Sequence, residues 1–143
     1  AMSIRGIQAV RSFSSVDADA FMEFLEEDVL GHVTNRFPLP KSVLLLDNAT
    51  VHEKRRIRDA CDQHGVIAVF LPPYSYDFQP IEKAFHIAKM YIRDKWQEAE
   101  ANEHVKVRLE EALWSLNDPR KTMNLFSSCF FEISEEDIAY AME

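Results

Sequence analysis

The stretch SVLLLDNATVHEKRRIRDACDQHGVIAVFL, residues 42–71, decides the fold of this chain. It opens with the apolar run 42–47 and closes with the apolar run 66–71, and continuous apolar runs of this length are typical of strands buried on both faces of a parallel sheet. Between them, apolar residues recur at helical spacing from about residue 53 to 64, and Gly65 is a residue type that ends helices. The stretch therefore predicts a strand–helix–strand unit of an α/β fold.

The segments before this unit predict one more strand and one helix. IRGIQAVRSF, residues 4–13, alternates apolar and polar residues, which is the period of a half-buried strand. From about residue 18 to 33, apolar residues recur at helical spacing after the capping residue Asp17. We expect a strand and then a helix ahead of the apolar run that begins at residue 42.

The segments after this unit predict helices. Pro80 opens a pattern that extends to about Trp96, and its expected inward residues are Ile81, Ala84, Phe85, Ala88 and Ile92. Further helices are predicted at about 103–116, after Asp118-Pro119, and after Ser134. We expect these last helices to cover the sheet, with four aromatic core candidates: Trp114, Phe126, Phe130 and Phe131.

Composition limits the classes of protein that fit. The chain has 143 residues, 47% hydrophobic content and a net charge of −8, which predict one globular domain and argue against a strongly basic nucleic-acid binder. The sequence contains neither an apolar run of membrane-spanning length nor a signal-peptide pattern. Its two cysteines, Cys61 and Cys129, are expected to be reduced thiols of an intracellular protein.

Two acids have positions that suit metal binding. Asp47 ends the first apolar strand, and Glu82 lies in the first turn of the helix that follows the second strand. Because ligands of open α/β sheets collect at the carboxyl ends of the strands, both acids should approach one edge of the sheet. Mg²⁺ takes such oxygen ligands when a phosphate completes its shell. The alternative is structural, since Asp caps turns and Glu is favoured at a helix start by the helix dipole.

LLLDNATVH at 44–52 and GVIAVFLPPYSYDFQPIEKAF at 65–85 closely resemble the catalytic domain of mariner-type DDE transposases. The resemblance, which covers about residues 6–96, implies an RNase H-like fold and a triad of two aspartates and a final acid. In one branch of the family, that acid is Glu and 34 residues separate it from the second Asp. Here residues 48–81, which number 34, separate Asp47 from Glu82.

The resemblance assigns roles position by position. Asp47 corresponds to the second acid of the triad and Glu82 to the third, so both are implied catalytic residues and ligands of Mg²⁺ or Mn²⁺. Asn48 and His52 belong to the DN…H signature of the family. His52 would orient a phosphate or a water molecule, or else it caps the start of the following helix.

A further feature concerns the DNA that the family cleaves. A basic cluster at the start of the helix after His52 would provide residual DNA contacts, or else it is a solvated face: Lys54, Arg55, Arg56 and Arg58.

The turn before Glu82 departs from the family pattern Pro-Asp-Leu-Asn-Pro, since Tyr76 and Gln79 replace its first proline and its asparagine. These changes remove a fixed φ and a shorter amide near the start of the helix.

The first aspartate of the family triad has no counterpart in this sequence. We therefore expect an RNase H-like fold that lacks its first two strands and carries extra C-terminal helices. It would form one truncated domain, residues 1–143, with the sheet core and motifs at about 4–96 and the C-terminal helices at 97–143. Metal binding should be weak or absent, and DNA cleavage by this chain alone is not expected.

The expected loss of strands also bears on partners. An open sheet edge invites pairing, so the strand at 4–13 would move beside residues 43–46, or two copies would share a sheet as a homodimer. Three interpretations follow: a transposase remnant with weak or no DNA binding, a domesticated module that binds itself or a host protein, and a chain completed by a partner polypeptide. The resemblance implies an intracellular, nuclear protein without membrane contact.

Overall fold

The computed structural model describes residues 1–49, 53–95 and 103–143. These residues fold into two compact units, of which the first comprises residues 1–12 and 76–143 and the second residues 13–75. In chain order the strands and helices are β1 (Met2–Ser3), β2 (Gly6–Ile7), α1 (Ala18–Phe24), β3 (Val43–Leu46), α2 (Lys54–His64), β4 (Ile67–Phe70), α3 (Pro80–Lys95), α4 (Glu103–Trp114), α5 (Pro119–Ser127) and α6 (Glu135–Met142). The mixed α/β content fits the expected class, and the single-domain organisation stays a prediction.

The second unit contains the strand–helix–strand arrangement that the sequence predicts. Strands β3 and β4 are parallel, in a register that runs from Val43 beside Ile67 to Leu46 beside Phe70. Helix α2 connects them and ends at Gly65, whose φ of 70° lies in the left-handed region that glycine adopts without strain. Its inward residues Ile57, Ala60 and Cys61 are all buried.

The prediction that both strands are buried on both faces is wrong. One face of the pair packs on α2, as the burial of Leu46 shows. On the other face, Val43, Ile67 and Val69 are 53%, 41% and 40% exposed. The apolar runs correctly indicated strands, but full burial also requires a second covering layer, and this face is uncovered in the part of the chain that the structure describes.

Helix α1 begins where its cap predicts. The side chain of Asp17 accepts a hydrogen bond from the backbone N–H of Ala20 at 2.9 Å. A π-helical segment, Leu25–Val29, continues the helix, and the backbone becomes extended at Leu30. The helix therefore ends before residue 33, the predicted end.

The prediction of a strand at 4–13 is wrong. The N-terminal segment forms a short antiparallel hairpin in which Met2 lies opposite Ile7 and Ser3 opposite Gly6. Gly6 has a φ of 117°, and a Cβ atom there would clash with the side chain of Asn117. The hairpin is a sheet of its own, so the first of the two expected alternatives, in which this segment pairs with residues 43–46, is absent from the described structure.

Helix α3 organises the core of the first unit through its small residues. Ala84 and Ala88 are fully buried, which allows α4 to approach closely. Two apolar clusters form around them, one with Ile7 and Leu116 and the other with Ala112 and Leu113. Phe85, predicted to face inward, is 38% exposed because it lies at the margin of this stripe.

The C-terminal aromatic residues are less buried than predicted. Phe126 is half-buried and contacts Phe131 edge to face, with ring centroids 5.3 Å apart. Trp114, Phe131 and especially Phe130 are exposed, so their assignment to the core is wrong. Phe130 follows α5 with a φ of 67°, and its ring contacts that of Phe78, with centroids 5.5 Å apart. None of the helices within residues 1–49, 53–95 and 103–143 is long and apolar enough to cross a membrane.

Candidate functional site

Asp47 lies at the carboxyl end of β3, as the sequence predicts. The backbone N–H of Leu71 donates to the carbonyl oxygen of Leu46 at 2.8 Å, which keeps the parallel pairing intact up to the residue before Asp47. The Asp47 side chain is half-buried, and its Oδ1 accepts a hydrogen bond from the backbone N–H of Ala49 at 3.0 Å. This bond is typical of an Asp that shapes a turn, which supports the structural alternative, and the ligand role of Asp47 stays a prediction.

Of the two signature residues after Asp47, the structure describes Asn48 and not His52. Asn48 is half-buried and directly follows Asp47 at the strand end. His52 lies outside the described residues, so its two alternative roles stay predictions.

Glu82 lies in the first turn of α3 with an exposed side chain. The turn before it is ordered by backbone hydrogen bonds, from Gln79 N–H to Tyr76 O at 3.0 Å and from Glu82 N–H to Gln79 O at 3.2 Å. Gln79 is only 5% exposed and Pro80 is also buried. The departure from the family pattern at Gln79 is thus accommodated by burial of the amide residue, which sequence reasoning did not anticipate.

The basic cluster on α2 divides into separate interactions. Arg56 contacts Asp19 at 2.8 Å and Glu53 at 3.4 Å. The hydrogen bond to Asp19 is the main reason that the pKa of the Arg56 guanidinium is raised above its ordinary value. Arg56 is therefore partly neutralised, which favours a structural role for this member of the cluster.

The other members of the cluster face a different environment. Lys54 and Arg58 lie over the ring of Phe70, at 5.6 Å and 4.9 Å from its centroid, and Arg55 is exposed. Cation–π contacts of this kind keep the positive charges while fixing their positions. Sequence reasoning missed the role of Phe70, because its signal is only an aromatic residue at the end of an apolar strand.

The structure describes the two acids in separate units, Asp47 in the second and Glu82 in the first. Both offer carboxylate oxygens, the ligand type that Mg²⁺ and Mn²⁺ prefer, and one or two carboxylates suffice where a substrate phosphate contributes. Among the described residues, no group of three or more His, Cys, Asp or Glu side chains is arranged to hold a metal ion. The donor chemistry of Asp47 and Glu82 fits such a cation, and their convergence on one ion stays a prediction.

Comparison with known proteins identifies the family. The model of the DDE superfamily endonuclease family matches residues 1–103, which is more than two thirds of the chain. The chain therefore belongs to the DDE superfamily endonucleases, and the match indicates a transposase-like nuclease origin. It includes Asp47, Glu82 and the basic cluster of α2 and leaves α5 and α6 outside. No curated protein and no solved structure matches the chain.

Proposed function

We propose that this chain derives from the RNase H-like catalytic domain of a mariner-type DDE transposase, whose parent activity is metal-dependent DNA cleavage and strand transfer. The observation that carries the proposal is the placement of two acids within the family match. Asp47 follows β3, and Glu82 lies in the first turn of α3 after a stretch of 34 residues, 48–81. This spacing is that of the Asp–Glu branch of the mariner-type enzymes.

In this proposal, Asp47 and Glu82 hold a Mg²⁺ or Mn²⁺ ion. The ion would supply a polarised phosphate and an activated water molecule for phosphodiester hydrolysis. The chain's own residues fix where that chemistry would occur. The bond from Ala49 N–H orients the Asp47 carboxylate, and the buried Gln79 and Pro80 fix the start of the helix that carries Glu82.

We propose further that the chain alone does not cleave DNA and binds metal weakly. Only two acids of the family's three have counterparts in this sequence, and fewer carboxylates give a weaker cation site. The net charge of −8 opposes association with the DNA backbone, so residual affinity depends on Lys54, Arg55 and Arg58. A nuclear location accords with the parent activity and is part of the proposal.

Calorimetric titration with Mn²⁺ tests this function. We expect weak binding that Asp47→Asn and Glu82→Gln each abolish. Asp59→Asn and Glu111→Gln, which remove exposed acids from other helix positions, are matched controls and should retain the heat signal. Equal binding by all five proteins would contradict the metal assignment, and nicking of supercoiled DNA by the unmodified chain would contradict the proposed inactivity.

A second candidate function is an interaction module that acts as a homodimer. The exposed apolar face of β3 and β4 favours it, since a contiguous uncovered apolar surface is typical of an interaction site. Under this proposal the acids contribute no catalysis. The mass of the protein in solution, which the metal titration does not measure, distinguishes the two functions.

A further inference from the structure

Lys54 and Arg58 share one aromatic ring. Lys54 is the first residue of α2 and Arg58 lies one turn further along, so both exposed side chains project from the same flank of the helix. The Nζ of Lys54 lies 5.6 Å from the centroid of the Phe70 ring, and the Cζ of Arg58 lies 4.9 Å from it. Like charges one turn apart on a helix repel each other. The ring therefore offsets this repulsion and holds two positive charges at one place on the surface.

The Phe70 ring lies at the strand end that carries Asp47. Phe70 is the last residue of β4 and lies opposite Leu46, the residue before Asp47. Side chains alternate along a strand and Val69 is exposed on the uncovered face, so the Phe70 side chain lies on the face that α2 covers. All of these residues belong to the second unit, so their placement does not depend on Glu82. The two cations thus lie at the carboxyl end of the strand pair, where ligands of α/β sheets bind.

The chemistry of its partner decides whether a cation remains available to a ligand. Arg56 is paired with the carboxylates of Asp19 and Glu53, which offset its charge. A phenyl ring has no net charge, so Lys54 and Arg58 keep theirs. The ring also restricts two long side chains whose immobilisation would otherwise be part of the free-energy cost of binding. A negatively charged ligand therefore meets two cations that are already held near each other.

The ligand that fits this pair is a phosphodiester group of a nucleic-acid backbone. Arginine and lysine are typical donors to backbone phosphates, and a guanidinium can bind two phosphate oxygens at once. The chain belongs to a family of endonucleases, and the match includes α2 and β4. The chemistry of the pair and the family therefore agree on the same group.

We propose that Phe70 is a positioning residue, whose ring holds Lys54 and Arg58 so that both bind one phosphodiester group at the strand end that carries Asp47. This inference rests on the proposed function and adds a residue that has no charge of its own. Phe70 acts through the two cations and does not itself contact the phosphate. Its contribution is therefore visible only in DNA binding that depends on them.

Fluorescence anisotropy of a short labelled DNA duplex at low salt, with a chelator present, tests the proposal. Phe70→Leu keeps an apolar side chain against α2 but removes the ring, and should lower the affinity about fivefold. Phe70→Tyr retains a ring and should retain the affinity. Phe37→Leu, which removes an exposed ring elsewhere in the same unit, is the matched control and should change nothing. Equal affinities of Phe70→Leu and the unmodified chain would overturn the proposal.

A double-mutant cycle distinguishes positioning from a general effect on the fold. If the ring acts through Arg58, Arg58→Ala should lower the affinity less in the Phe70→Leu background than in the unmodified chain. Arg55→Ala removes an exposed cation of the same helix and should have the same effect in both backgrounds. Additive losses for Phe70→Leu and Arg58→Ala would overturn the positioning role.

Replacement of Phe70 by pentafluorophenylalanine tests the ring electrostatics with little change in size. Fluorination reverses the sign of the charge on the ring face, so this variant should lose about as much affinity as Phe70→Leu. Circular dichroism and urea denaturation check that each variant folds, and the fluorinated protein provides the test if Phe70→Leu does not fold. Equal affinities of the fluorinated and unmodified proteins would overturn the proposal.

Competition with inorganic phosphate identifies the source of the anion. At matched ionic strength, phosphate should displace the DNA no better than chloride does, because a duplex presents many phosphates along one backbone. Specific displacement by phosphate would indicate a site for a free anion and would contradict the nucleic-acid assignment.

The two proposals fail separately. The anisotropy measurements contain no metal, and the Mn²⁺ titration contains no DNA. Loss of the Phe70 effect would leave the metal assignment unchanged, and a chain that binds no Mn²⁺ would still show the Phe70 effect. A chain that binds no DNA at low salt would overturn the positioning role alone.

Discussion

Lys83 connects the first turn of α3 to the end of α5 by two hydrogen bonds to a single residue, Ser128. Its Nζ donates to the carbonyl oxygen of Ser128 at 2.6 Å and to the Oγ of the same residue at 2.9 Å. Lys83 directly follows Glu82, so this contact helps to fix the turn of helix that carries the candidate metal ligand. Lys83 also donates to the carbonyl group of Ser128 at the C-terminal end of α5, where a cationic donor is favourable.

Replacement of Lys83 by methionine should lower the free energy of unfolding by about 1 kcal/mol, because it keeps the apolar stem and removes both hydrogen bonds. Urea denaturation measures the change. Lys89→Met is the matched control, since Lys89 is an exposed residue of the same helix, and should change the stability by less than about 0.5 kcal/mol. Equal losses in the two variants would show that the contact with Ser128 contributes nothing.

The cap of α6 should make stability depend on acid pH. Asp137 accepts hydrogen bonds from Ser134 Oγ at 2.7 Å and from Ser134 N–H at 2.9 Å, and the side-chain bond is the main cause that lowers the pKa of Asp137 below its ordinary value of 3.8. Because the pKa of Asp137 is lowered in the folded chain, its ionised carboxylate stabilises the fold fully above pH 3.8. This stabilisation is lost as the pH falls through the lowered pKa.

Asp137→Asn should therefore reduce the stability at neutral pH and have a smaller effect well below pH 3.8. Denaturation of the unmodified chain and of Asp137→Asn, at neutral pH and well below pH 3.8, provides the comparison. The same stability difference at both pH values would contradict a role for the ionised carboxylate in the cap.

Cys61 should make stability depend on alkaline pH. Burial is the main cause that raises the pKa of its thiol from 9.0 to about 11, with a smaller contribution from the charge of Asp62. The unfolded chain loses this proton at a lower pH than the folded chain does, so stability should fall as the pH rises from about 9 to about 11. Cys61→Ala should show a shallower fall over that range, and parallel curves for the two proteins would refute the explanation.

The basic cluster of α2 predicts unequal contributions to any DNA binding at low salt. Arg58 lies over Phe70, whereas Arg56 is paired with Asp19 and Glu53. Arg58→Ala should weaken binding and lower the slope of log affinity against log salt by about one unit, as expected for a lost phosphate contact. Arg56→Ala should have the smaller effect in the same fluorescence titration. A larger loss of DNA affinity with Arg56→Ala than with Arg58→Ala would mean that Asp19 and Glu53 do not pair with Arg56 in solution.

The sequence predicted well the features that depend on neighbouring residues. The apolar runs located β3 and β4, Gly65 located the end of α2, and Pro80 located the start of α3. Local rules of strand composition and helix capping govern these features. For the same reason, Asp47 and Glu82 occupy the predicted positions within their own elements.

The sequence predicted poorly the features that depend on what packs against an element. The exposure of Val69 and of Phe130 depends on whether a second layer covers each residue, and neither hydrophobic pattern contains that information. The contact between Lys83 and Ser128 joins residues 45 positions apart, which no local motif indicates. The convergence of Asp47 with Glu82 has the same long-range character and stays a prediction.

Nuclear magnetic resonance with paramagnetic Mn²⁺ measures that convergence most directly, because the ion broadens the amide signals of residues close to it. If one ion binds both acids, the amides of Asn48 and Lys83 should broaden together over the same Mn²⁺ concentrations, and Asp47→Asn should abolish the broadening at both. Broadening at only one of these amides, or broadening at Lys83 that persists in Asp47→Asn, would contradict a shared metal site.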